Sequence, residues 1–296
     1  MTQNNDWIQI KIRTTNSFSD AVAELLEQLG ALAVSYTDAE DSPILEPKPG
    51  ARRLWPNTEV TGLLDKGTDP EPILAKLKAI LGDHIPMAAT HLEDKNWIRA
   101  WMDQFKPLKF GSHLWICPSW LKVEEENSVV VMLDPGLAFG TGTHPTTALC
   151  LGYLDSLDLK DKLVLDYGCG SGILAIAALK LGAKKAMGVD IDEQALQASL
   201  ENAKRNDVDD RLELVMGTDK KLELPKSQIT VANILAGPLA QLEPVIADMT
   251  ASGGLLALSG ILTEQADEVI EAYSKDFIMN KVEDKDGWAL LTGTRK

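Results

Sequence analysis

The chain has 296 residues, enough for two ordinary domains or one large domain with a substantial buried core. Hydrophobic residues make up 45% and charged residues 25%, the proportions of a soluble globular protein, and no apolar run approaches the ~20 residues that a membrane helix needs. The 44 acidic and 29 basic residues give a net charge of −15, which weakens any nucleic-acid-binding hypothesis and permits a basic protein partner.

The N-terminus lacks the basic start and the apolar stretch of a secretory signal. The three cysteines, Cys117, Cys150 and Cys169, are far apart and have no spacing typical of a zinc site or a disulfide framework. We therefore expect a cytoplasmic protein with no metal site and no membrane association.

Residues 1–93 have the pattern of short strands that alternate with helices. One helix has Ser17 and Ser19 as candidate N-caps and ends at Gly30. The predicted order is strand 7–12, the helix before Gly30, strand 31–36, strand 59–64, helix 70–81 and strand 87–92. This β-α-β-β-α-β order predicts an N-terminal α+β domain of the ferredoxin-like kind.

Residues 94–107 have a short helical pattern that carries Trp97, Ile98 and Trp101 and ends at Lys106-Pro107. Its aromatic face needs something to pack against, which indicates a linker helix and not a flexible linker.

The segment 108–296 begins with two strand-like runs and then changes to longer strand–helix units. The runs are 108–118 and 128–133; the later strands are 163–166, 186–190, 212–215, 229–233 and 255–259, and the helices are 172–181, 193–205, 238–249 and 264–273. Repeated units of this length predict an α/β domain with a doubly wound parallel sheet. Two last strands, 277–282 and 288–292, predict a C-terminal antiparallel hairpin.

The glycine-rich run at residues 164–172 leaves a strand and enters a helix, the context that a cofactor-binding loop requires. Its glycines let the backbone turn sharply and approach a ligand without a Cβ in the way. Ile173 stands where dinucleotide-binding loops have a third glycine or alanine. Asp166 lies two residues before the first glycine, where its carboxylate would attract a cofactor ammonium group and repel a pyrophosphate.

Asp190 ends the next strand, where an acid can accept hydrogen bonds from both hydroxyls of an adenosine ribose. The alternative for Asp190 is a helix N-cap or an ordinary strand-end acid, and for the glycines an ordinary tight turn. Together, the loop and the two acids fit a nucleoside that carries an amino-acid tail, which is S-adenosylmethionine.

Three segments, 133–147, 164–172 and 231–239, resemble the ribosomal protein L11 methyltransferase (PrmA) family. The resemblance implies an N-terminal substrate-recognition domain joined to a class I methyltransferase domain. It also implies methylation of lysine ε-amines and of the α-amine of one basic large-subunit ribosomal protein. The cofactor contacts that it implies are Thr147, Gly168, Asp190 and Asn233, and the glycine loop adds Gly170.

Two further residues have competing interpretations. His144 is either a general base or a structural residue in the loop 139–147, which in turn either binds the cofactor carboxylate or caps a helix with Thr143. Asn233 either orients the attacking amine, as the catalytic residue, or is a chance asparagine at a strand end.

Other functions stay open on the residues alone. The chain could methylate another amine or a nucleic acid, although residues 1–93 hold 8 bases and 14 acids. A nicotinamide-dependent oxidoreductase is disfavoured by Ile173 and Asp166. A binding module without activity would bind the cofactor and transfer no methyl group.

Overall fold

A computed structural model describes residues 6–40, 54–92, 105–134, 144–218, 224–280 and 282–296. Its internal contacts divide the chain into two compact units, Met1–Gln104 and Phe105–Lys296. The predicted linker helix falls almost entirely outside the described residues. No helix within the described ranges is long and apolar enough to cross a membrane.

The first unit has the predicted β-α-β-β-α-β order. Its elements are β1 (Trp7–Thr15), α1 (Asn16–Gln28), β2 (Ala33–Asp38), β3 (Asn57–Leu64), α2 (Pro70–Leu81) and β4 (Met87–Leu92). The four strands form an antiparallel sheet in the order β2-β3-β1-β4. This is the split β-α-β arrangement.

Every second residue of β1 from Ile8 to Ile12 contributes an apolar side chain to the core of this unit. Ile8, Ile10 and Ile12 point to one face and are buried, where they pack with Val22 and Leu26 of α1. The prediction that serine caps α1 was wrong. The helix begins at Asn16 without a side-chain cap, and the Ser19 hydroxyl donates back to the Asn16 carbonyl 2.8 Å away.

The second unit contains the remaining elements. They are β5 (Leu108–Phe110), β6 (Leu114–Cys117), β7 (Val129–Met132), α3 (Pro145–Asp155), β8 (Leu163–Tyr167), α4 (Ile173–Lys180), β9 (Lys185–Asp190), α5 (Glu193–Arg205), β10 (Leu212–Met216), β11 (Ser227–Asn233), α6 (Ala236–Met249), β12 (Thr250–Leu262), α7 (Ala266–Tyr273), β13 (Phe277–Met279), β14 (Glu283–Lys285) and β15 (Trp288–Arg295). Strands β5, β6 and β7 form a small separate sheet.

The large sheet has the order β10-β9-β8-β11-β12-β15-β13, and β14 also pairs with β15. Strands β8 to β12 run parallel, whereas β15 is antiparallel to both β12 and β13. Buried apolar clusters cover both faces of the sheet. This is the class I methyltransferase arrangement, so the prediction of a doubly wound sheet closed by an antiparallel C-terminal hairpin is confirmed.

Two local features differ from the sequence prediction. The run 108–118 is broken at Gly111, which adopts a φ of 63°, and the Asp155 carboxylate accepts hydrogen bonds from the backbone amides of Ser112 and His113. Strand β14 was not predicted because its three charged, exposed residues show no apolar alternation. Cys117, Cys150 and Cys169 are all buried free thiols.

Candidate cofactor and active site

The candidate site lies at the carboxyl edge of the parallel strands, where β8, β9 and β11 end in Tyr167, Asp190 and Asn233. Strands β8 and β11 are neighbours in the sheet although two strands, β9 and β10, lie between them in chain order. The sheet therefore reverses its winding direction between them. Ligands of doubly wound sheets bind in the crevice at such a switch point.

The glycine loop after β8 turns through three left-handed residues, Gly168, Gly170 and Gly172, with φ values of 78°, 55° and 76°. Residues other than glycine adopt this region only with strain. The amides of Gly168 and Cys169 donate to the Val189 carbonyl at 2.7 and 3.0 Å, which fastens the loop to the end of β9.

Asp190 is tied to the same loop. One carboxylate oxygen accepts from the Gly170 amide at 2.9 Å, and the other accepts from the Asp192 amide at 3.0 Å. Each carboxylate oxygen has a second lone pair, so these bonds orient the group and leave acceptor capacity for ribose hydroxyls. Asp192, and not Asp190, caps α5, where it accepts from the Gln194 amide.

Asp166 is fully buried beneath the loop. One of its oxygens accepts from the Ala175 amide at 3.0 Å, while Oδ1 has no hydrogen-bond partner among the described residues. Burial raises the pKa of this carboxyl to about 7, and the nearby Asp190 charge raises the pKa further, against the lowering effect of the Ala175 bond. A buried carboxyl with an unpaired oxygen is poised to accept a cationic partner.

Helix α5 supports the loop from below through two residues that the sequence analysis missed. The Ser199 hydroxyl donates to the Gly170 carbonyl at 2.8 Å, and the Asn202 amide donates to the Ser171 carbonyl at 2.9 Å. Both side chains are buried. The signal was available in the sequence, because polar residues three positions apart on the inward face of an amphipathic helix need partners.

His144 is the N-cap of α3. Its Nδ1 accepts from the Thr146 amide at 3.3 Å and lies 2.7 Å from the Thr146 hydroxyl. Its ring meets Trp288 edge to face, with 4.7 Å between the ring centroids. Burial lowers the pKa of His144. These contacts favour the structural interpretation over the general base. The cap is His144, so the alternative with Thr143 as cap was wrong; residues 139–143 of the predicted loop lie outside the described residues.

Thr147 and Asn233, 86 residues apart in the chain, meet in this site. The Asn233 side-chain amide donates to the Thr147 hydroxyl at 3.2 Å. Thr147 is buried in the first turn of α3, and Asn233 is half-buried at the end of β11. The structure thus brings together the residues that the sequence analysis selected as cofactor contacts.

The residues present fit S-adenosylmethionine. The unpaired, buried oxygen of Asp166 suits an ammonium group and would repel a phosphate. Asp190 offers acceptors to a diol at the end of the neighbouring strand. Among the described residues, no group of three or more histidine, cysteine or acidic side chains is arranged to hold a metal ion.

The chain is similar in sequence and fold to known proteins. The family model described as ribosomal protein L11 methyltransferase (PrmA) matches residues 6–296. Proteins named ribosomal protein L11 methyltransferase from Escherichia coli O8 (strain IAI1) and from Escherichia fergusonii are each 54% identical over 291 residues, 98% of this chain and 99% of theirs. A crystal structure of a ribosomal protein L11 methylase from Lactobacillus delbrueckii subsp. bulgaricus is 33% identical, with a TM-score of 0.60, and covers 65% of this chain and 100% of that one.

Proposed function

The chain belongs to the ribosomal protein L11 methyltransferase family, and we propose that it transfers methyl groups from S-adenosylmethionine to amino groups of ribosomal protein L11. The observation that carries the proposal is the convergence at one sheet edge of a buried, unpaired carboxyl, a loop-anchored Asp190 and the Thr147–Asn233 pair. The first two suit the cofactor, and the pair suits both the cofactor and an incoming amine.

The candidate residues have the following roles, and Asn233 has a second one toward the amine. Asp166 neutralises the ammonium of the cofactor, and Asp190 accepts from its ribose hydroxyls. Position 168 requires glycine, because a Cβ there would overlap the side chain of Ile234. Without Cβ atoms, the backbone at Gly168 and Gly170 allows close approach of the ligand. Thr147 and Asn233 complete the cofactor contacts. The roles of Thr147, Gly168, Asp190 and Asn233 follow the family resemblance, and their positions and hydrogen bonds in this chain support them.

The chemistry requires little acid–base catalysis. S-adenosylmethionine supplies a methyl group on a sulfonium, which is an activated leaving group. The protein must hold the acceptor in line, and positioning of this kind provides most of the rate. The Asn233 amide donates to Thr147, so its carbonyl oxygen is the atom that would accept an N–H of the amine and direct the nitrogen lone pair toward the methyl group.

The attacking amine must be neutral, and a free lysine has a pKa near ~10.4. Exclusion of water around the amine lowers that pKa, because burial disfavours the charged form. We assign no side chain to remove the proton: His144 has the wrong contacts, since its Nδ1 already caps α3. The amine gives its proton to solvent as it enters, before water is excluded from around it.

The remaining parts of the proposal concern partners. We propose that residues 1–93 recognise the substrate, with 94–107 as the linker and 108–296 as the catalytic domain. The net charge of −15 suits a basic protein substrate and does not suit direct nucleic-acid binding. A ribosomal substrate also makes the cytoplasm the expected location.

The test is mass spectrometry of ribosomal proteins after incubation with the enzyme and isotope-labelled cofactor, beside an Asp190→Ala control. We expect labelled mass increments of single methyl groups on L11, absent in the control. Label on another protein or on a small amine would show that this acceptor, and not L11, is the substrate. Cofactor binding without any label would leave a binding protein and overturn the proposed activity.

A further inference from the structure

Strand β12 is irregular beside the candidate active site. Asn233 at the end of β11 pairs with Ser259 in the parallel ladder. On the other side of β12, the antiparallel register with β15 shifts between Leu258 and Ile261, so that a bulge contains Ser259 and Gly260. The Ser259 hydroxyl donates to the Ala289 carbonyl of β15 at 2.8 Å and fixes the bulge. Bulges of this kind commonly redirect the chain next to active sites.

Gly260 in this bulge makes an approach that no other residue type permits. Its φ is +83°, in the left-handed region. A Cβ on Gly260 would lie 2.7 Å from the carbonyl carbon of Ile234 and 2.9 Å from the backbone nitrogen of Ile234. It would lie closer still to the carbonyl oxygen of Ile234. These are backbone atoms, which cannot rotate away as a flexible side chain can.

Ile234 is confined from the opposite direction as well. A Cβ on Gly168 of the cofactor loop would overlap Ile234 Cγ2. The backbone of Ile234 therefore packs against Gly260, and the side chain of Ile234 packs against Gly168. Its neighbours are Asn233, which pairs with Thr147, and Leu235, a large apolar residue that is 49% exposed.

We infer that Gly260 is a positioning residue for methyl transfer. The bulge in β12 fixes the position of the Asn233–Leu235 backbone and so aligns the acceptor amine. The inference rests on the proposed function, because it assigns Asn233 to the amine. It concerns alignment more than cofactor retention, since the two charged cofactor contacts, Asp166 and Asp190, belong to β8 and β9, and only the uncharged contact Asn233 lies in the segment beside Gly260.

The test compares Gly260→Ala with Gly253→Ala in the full chain. Gly253 also lies in β12 with a positive φ of 74°, but a Cβ there would meet nothing within 4 Å. Both variants carry the conformational strain of a left-handed alanine, and only the first displaces Ile234. The measurements are kcat and KM for L11, the dissociation constant of S-adenosylmethionine, and the melting temperature.

We expect Gly260→Ala to lower kcat by about 10- to 100-fold, because a misplacement of about 1 Å costs up to ~100-fold in rate. Cofactor affinity should stay within about threefold of the wild type, and Gly253→Ala should keep the wild-type kcat. Equal kcat values for the two variants would overturn the inference. So would a loss of cofactor binding as large as the loss of kcat.

A second variant covers the case in which Gly260→Ala does not fold. Ser259→Ala removes the bond to Ala289 without adding an atom, and we expect a kcat loss of about tenfold with cofactor affinity retained. An unchanged kcat in that variant would overturn the inference. A wild-type enzyme that binds cofactor but methylates nothing would instead refute the proposed function, and this inference would fall with it.

Discussion

Cofactor affinity should depend on pH through Asp166. Burial raises the pKa of this carboxyl to about 7 in the cofactor-free protein. At pH 6 roughly one carboxyl in ten is ionised, and at pH 7.5 roughly three in four are, so the fraction able to pair with an ammonium rises about eightfold. The sign follows from the pairing: only the ionised carboxylate attracts the cation, so binding strengthens as pH rises toward 7.5.

The assay is isothermal titration of S-adenosylmethionine from pH 5.5 to pH 7.5, a range in which most free α-amino groups, with a pKa of about 7.7–8.0, keep their proton. Asp166→Asn should bind more weakly and give a flat profile. Asp210→Asn, at a side chain that is 79% exposed, is the matched control and should reproduce the wild-type profile. A flat wild-type profile, or a pH dependence that persists in Asp166→Asn, would refute the reasoning.

Three further outcomes are expected. Asp190→Ala should weaken cofactor binding by about 10- to 100-fold, because it removes charge-assisted hydrogen bonds worth roughly 1.5–3 kcal/mol; a change of less than threefold in titration would contradict the assignment. Thr147→Val should lower kcat by about tenfold by removing the acceptor for Asn233, whereas Thr147→Ser should retain activity; equal activities would count against the pair. Asp166→Asn should raise the melting temperature of the cofactor-free protein at pH 8. The pKa of Asp166 is higher in the folded protein than in the unfolded chain, so ionisation of Asp166 destabilises the folded state. This cost grows as the pH rises and reaches up to ~4 kcal/mol above pH 7. A lower melting temperature for the variant would refute this.

The sequence was sufficient to predict the sheet and the cofactor loop. Buried strands such as β8 and β11 are short apolar runs bounded by polar residues. The closely spaced glycines at 168, 170 and 172 indicate a tight turn, and all three adopt left-handed φ values that would strain other residue types. Asp190 and Asn233 end such strands, and Asp166 is the next-to-last residue of β8. Parallel strands bring their carboxyl ends to one edge, so the proximity of these residues follows from the topology.

The parts that the sequence did not predict depend on contacts between distant segments. Nothing in the local pattern of His144 indicates that its Nδ1 caps α3 or that Trp288 packs against its ring, because Trp288 lies 144 positions later. The bulge in β12 depends on the register with β15 and has no local signature beyond Gly260 itself. Side-chain support of the loop by Ser199 is visible only once α5 is packed on the sheet.

The buried cysteines can report local unfolding of this protein through their reactivity. Burial raises the pKa of Cys150 to about 12 and the pKa of Cys169 further still, so neither is a reactive thiolate at neutral pH. Alkylation at these thiols therefore requires the surrounding structure to open first. Cys169 lies within the glycine loop, whereas Cys150 lies in α3, so their labelling rates separate loop opening from wider unfolding, without an introduced probe.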